Sequence, residues 1–110
     1  MDNLMTLALE AHSDEGNHHR RYEIVLGRDL LDDWTLSVRY GRVGRGGQEQ
    51  RYASNDMGEI RSIIRDKLRR RLSAPKRIGC PYRLVEVSAA GEMKADAWLP
   101  GDLLARLMVG

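Results

Sequence analysis

The chain holds a single cysteine, Cys80, and so cannot close an internal disulfide, the pattern of a protein kept in a reducing interior such as the cytoplasm. No apolar run approaches the roughly 20 residues that a bilayer-spanning helix needs. Met1–Glu10 is acidic and mixed, without the basic stretch and apolar segment of a secretory leader. The expectation is a soluble, cytoplasmic protein with no membrane partner. Motifs that carry chemistry are also scarce. Gly41, Gly44, Gly46 and Gly47 lack the Gly-Lys-Ser/Thr ending of a phosphate loop, and a strand pattern follows them, so turn geometry explains them. His12, His18, His19 and Cys80 show neither Cys-x-x-Cys nor His-x-x-x-His spacing, so no metal site and no cofactor is expected. No Ser/His/Asp set and no paired carboxylate stands where a nucleophile or general base would be made. The reading is of a protein that is not an enzyme.

What is present is charge, unevenly spread. The 110 residues make one domain, long enough for a modest single core. Residues 1–38 carry eight acids against three arginines, a net of −5. Residues 39–83 carry thirteen Lys/Arg against four acids, a net of +9. Residues 84–110 carry two against four, and the total returns to +2. A basic middle between acidic ends reads as a contact for a polyanion, or as a solvated helix face.

The periodicities predict an α+β fold: a mainly antiparallel twisted sheet of five to six strands, one long helix packed on it, and a short C-terminal helix. Strand patterns of period two run through 4–11, 21–26, 34–40 and 48–53, with a fifth over 82–87 and a weaker sixth over 93–98. Gly44–Gly47 is the hairpin turn between the third and fourth. A helix spans about 57–73, with Met57, Ile60, Ile64 and Leu68 on one side and Pro75 beyond its end. Asp56 and Glu59 have the form of a capping box at its start. Leu103, Leu104, Leu107 and Met108 share one side of the terminal helix, to cover the sheet or to meet a protein partner or a second copy.

The third strand and its turn hold the candidate binding residues. Trp34, Leu36, Val38 and Tyr40 alternate inward, with Trp34 expected in the core. Tyr40 either closes the core edge or offers a ring for stacking on a base. Arg39 faces away from the core, and Arg42 and Arg45 sit at or beside the hairpin tip. Arg61, Arg65 and Arg69 recur every four residues as a stripe at the edge of the helix's apolar side, with Lys67, Arg70 and Arg71 elsewhere on the cylinder. If stripe and hairpin share one side of the domain, they form a groove that follows a phosphate backbone.

Tyr40-Gly41-Arg42-Val43-Gly44, with Trp34 six residues before it, Gly47-Gln48 after it, a single helix with a basic tail and then Tyr82, resembles the WGR domain over roughly residues 4–88. The chain then divides into a WGR-like domain over 1–88 and a C-terminal strand and helix extension over 89–110 that packs on it. The resemblance implies a small sheet crossed by one helix. It also implies a nucleic-acid partner, DNA ahead of RNA, because in poly(ADP-ribose) polymerases the module binds nucleic acid near strand breaks and touches neighbouring domains. The family also has stand-alone bacterial members, and the resemblance implies that this chain is one. The leading Trp of the family triplet packs against a strand end in the polymerases, and Tyr40 stands in its place here. The family's Arg, which contacts DNA and neighbouring domains, corresponds to Arg42.

Overall fold

The structure, a computed structural model, describes residues 2–13, 18–31, 33–44, 47–73, 80–89 and 98–109. The elements in chain order are β1 (Asp2–Ser13), β2 (His18–Arg28), β3 (Trp34–Arg42), β4 (Gln48–Ser54), α1 (Met57–Leu72), β5 (Arg83–Ala89) and α2 (Gly101–Val109). The strands form one sheet in the order β4-β3-β2-β1-β5, with every neighbouring pair antiparallel. The expected α+β architecture of five strands, a main helix and a short C-terminal helix is therefore present. Residues 93–97 of the expected sixth strand lie outside the described residues, and Trp98 sits in the turn that leads into α2.

β1 and β2 extend past the alternating apolar segments that announce them. Their pairing continues through His12↔His19 and Ser13↔His18, because a ladder of backbone hydrogen bonds needs no apolar side chain and cross-strand polar pairs support it. β3 likewise runs on through Gly41 and Arg42, which face Arg21 and Arg20 of β2. At the β3–β4 turn Gly44 has φ +79, a conformation that a side chain disfavours. Gly47 lies where a Cβ would run into the backbone carbonyl of Tyr40.

Alternation puts Tyr22, Ile24 and Leu26 of β2 and Leu36 and Val38 of β3 on one face, with Met5, Leu7 and Leu9 of β1. Ile60, Ile64 and Leu68 of α1 close over them. Asp56 caps the helix by accepting from the Gly58 amide at 2.8 Å. The expected box is not closed by Glu59, which instead accepts from the Ser54 hydroxyl at 3.1 Å. That same hydroxyl takes the Asp56 amide.

α2 completes the helical layer. Leu103 and Leu107 are 4% and 1% exposed and join the same core, together with Trp98 and Leu99. Half of the face offered for a partner is thus spent on the chain's own sheet. The side chains of Leu104 and Met108 lie outside those described. Trp34 is half-buried at the core's edge, its ring 4.6 Å from that of Trp98 and capped by the Arg28 guanidinium at 4.2 Å. No described helix is long and apolar enough to cross a membrane.

Candidate nucleic-acid interface

The antiparallel register brings the last residues of β3, the first of β2 and β5, and the C-terminal turn of α1 to one end of the sheet. Continuing the inward series Leu36, Val38, Tyr40 places Arg42 on the helix side of that end. Its cross-strand partner is Arg20. From above comes Arg71, seven residues after Ile64 and three after Leu68, so it continues the stripe that faces the sheet. A cleft of about 250 Å³ opens among them, lined by His19, Arg20, Tyr40, Arg42, Arg71 and Tyr82. Among the described residues no carboxylate lines it.

The floor is aromatic. Tyr22 lies near-parallel to Tyr40 at 6.3 Å and edge-on to Tyr82 at 6.4 Å. The Arg71 guanidinium sits 4.3 Å above the Tyr22 ring and 5.8 Å from that of Tyr82. A guanidinium is weakly hydrated and stacks on aromatic faces, so it tolerates this half-buried place where an ammonium would not. Two polar atoms beneath the cleft have no hydrogen-bond partner among the described residues: the Tyr22 hydroxyl and Arg71 Nε. Burial pushes the Tyr22 hydroxyl far above the ordinary phenol range, and the Arg71 charge offsets only part of that, so Tyr22 is a neutral phenol. Tyr40 is half-buried, and its hydroxyl donates to Gln48 Oε1 at 2.8 Å. It both closes the core edge and turns part of its ring to the cleft.

The opposite face of the sheet is built differently. There Arg39 Nε donates to Glu49 Oε1 at 2.9 Å, a bond that holds the guanidinium's pKa up and the carboxylate's down. Arg21 meets Glu10 at 2.6 Å, Glu23 at 3.3 Å and Glu86 at 3.6 Å. The hydrogen bonds from His12 and Arg21 lower the Glu10 pKa. A cleft of about 400 Å³ holds Glu23 and Glu49 beside Arg21 and Arg39 and extends round the end of β3 to Tyr40 and Arg42. Cations and acids are interleaved here, which leaves little net field for a polyanion.

The candidate residues therefore separate. Tyr40 and Arg42 line the cleft that holds no carboxylate among the described residues, and they also border the larger one with Glu23 and Glu49; Arg39 reaches only the latter, in an ion pair with Glu49. Arg45 lies outside the described residues. Arg61, Arg65 and Arg69 are exposed on α1, and among the described residues none of them forms an ion pair. The sequence pattern alone does not single out Arg20, Tyr22, Arg71 and Tyr82 as binding residues. The i+7 spacing from Ile64 carried the signal for Arg71, but the run Arg69-Arg70-Arg71 reads as a solvated tail. Arg20 becomes a neighbour of Arg42 only once the β2–β3 register is known. No group of three or more His, Cys, Asp or Glu side chains able to hold a metal occurs among the described residues.

The family model described as the WGR domain matches residues 5–73. That span takes in most of β1, all of β2 to β4, and α1, and it stops short of β5 and α2. Among curated proteins, none matches the chain.

Proposed function

Since the chain belongs to the WGR domain family, we propose that it is a non-catalytic nucleic-acid-binding module, with DNA ahead of RNA as its partner. In poly(ADP-ribose) polymerase-like proteins the WGR domain is a nucleic-acid-binding module. The observation that carries the reading to this chain is the cleft where guanidinium groups from β2, β3 and α1 converge beside Tyr40 and Tyr82, with no carboxylate lining it among the described residues. Arg20, Arg42 and Arg71 neutralise phosphate, and the half-buried Tyr40 ring meets a sugar or base edge. Phosphate contacts carry no base information, so sequence discrimination is small.

Fluorescence anisotropy with single-stranded, nicked and blunt-ended DNA across a salt series tests this. Engagement of one phosphate by each of the three arginines gives a slope of log K against log salt of about −2 to −3. Arg42→Ala lowers affinity about tenfold with the fold intact, while Arg39→Ala on the opposite face changes it little. Affinity that stays flat between low and moderate salt sinks the proposal.

A further inference from the structure

A third cleft, of about 510 Å³, lies between the first half of α1 and the segment that opens α2, lined by Arg61, Ser62, Arg65, Trp98, Pro100 and Asp102 among others. Two features set it apart. Arg61 and Arg65 are like charges one turn apart on a helix, a mutually unfavourable arrangement. Among the described residues neither is relieved by an ion pair, although Asp102 lines the same cleft. The far wall, residues 98–102, lies outside the span that the WGR family model matches.

We infer that the Arg61–Arg65 cleft is a second phosphate-binding site, which takes the backbone of the same nucleic-acid strand that occupies the cleft at Arg42 and Arg71. The inference rests on the function proposed above and extends it from one contact to a footprint. At about 1.5 Å rise per residue, Arg65 and Arg61 lie about 9 and 15 Å back along the α1 axis from Arg71. The exposed Arg69 stands between them. A mononucleotide or dinucleotide spans one cleft only. A strand of about four to six nucleotides reaches both, and the second contact then forms at the high effective concentration that tethering provides.

Single-stranded oligonucleotides of two, four, six and eight residues, titrated by competition against a labelled eight-residue strand, provide the test. In the unmodified chain, affinity rises by more than tenfold between two and six nucleotides. In Arg61→Ala/Arg65→Ala, with an unchanged melting temperature, binding of the dinucleotide is unaltered. The six- and eight-residue strands lose about tenfold, and their salt slope becomes shallower by about one to two. A double variant that matches the unmodified chain at every length overturns the second site and leaves the first reading standing, provided that Arg42→Ala still weakens binding. Equal losses at every length, the dinucleotide included, also overturn it. No binding of any strand by the unmodified chain removes both.

Discussion

At the scale of single residues, two side chains and one missing side chain hold the binding end together. Gly47 is required because a Cβ there meets the Tyr40 carbonyl. Gly47→Ala therefore forces the β3–β4 hairpin apart beside the cleft, and urea denaturation is expected to show a loss of about 2–3 kcal/mol. Tyr22 makes a prediction in the alkaline range. Its folded-state pKa is raised above the ordinary value of 10.0, so the unfolded chain releases this proton first. Its contribution is complete below pH about 10 and falls away as pH rises beyond it. Tyr22→Phe removes an unpartnered buried hydroxyl, so at neutral pH the variant is as stable as its parent or more so, within about 1 kcal/mol. Between pH 10 and 11 its melting temperature declines less steeply than that of the parent, and parallel declines would count against the assigned burial. The sequence disclosed the inward direction of Tyr40 and Tyr22 through simple alternation. It did not disclose that Arg71 lies on their rings, because a polar residue at a core-facing helical position looks like any other exposed cation until the sheet beneath it is known.

Among the elements, the strands and α1 were legible because their apolar periods differ, two against about 3.6, and because Gly44 and Asp56 mark a turn and a cap. The ends were less so. β1 and β2 outrun their apolar cores since pairing of His12 with His19 and of Ser13 with His18 extends the ladder without hydrophobic signal. For α2 the sequence left two uses for one leucine face, and only packing separates them. Leu107, 1% exposed, belongs to the core that Ile60, Ile64 and Leu68 also form. Leu107→Ala is expected to destabilise the whole domain by about 2–4 kcal/mol, read as a lower urea midpoint with an unchanged slope. A role confined to association would instead leave the midpoint of dilute protein where it was.

For the whole molecule, charge counting located the cations within the chain but not in space. Among the described residues, the cations of 39–83 are found on both sides of the sheet. On one side Arg39 and Arg51 meet Glu49, and on the other Arg42 and Arg71 share a cleft that no described carboxylate lines. Strand parity decides that division, and parity matters only after the register has been set. The sheet order has a consequence for how this chain is made and handled. β1 is interior, between β2 and β5, so during synthesis it lacks its second neighbour until residue 89 has been added. A chain cut after Ser73, where the family match ends, lacks that neighbour and the leucines of α2. It presents a bare edge of twelve residues, a template for pairing between copies. Such a fragment is expected in the pellet of a light-scattering or sedimentation assay under conditions that keep the 110-residue chain in the supernatant.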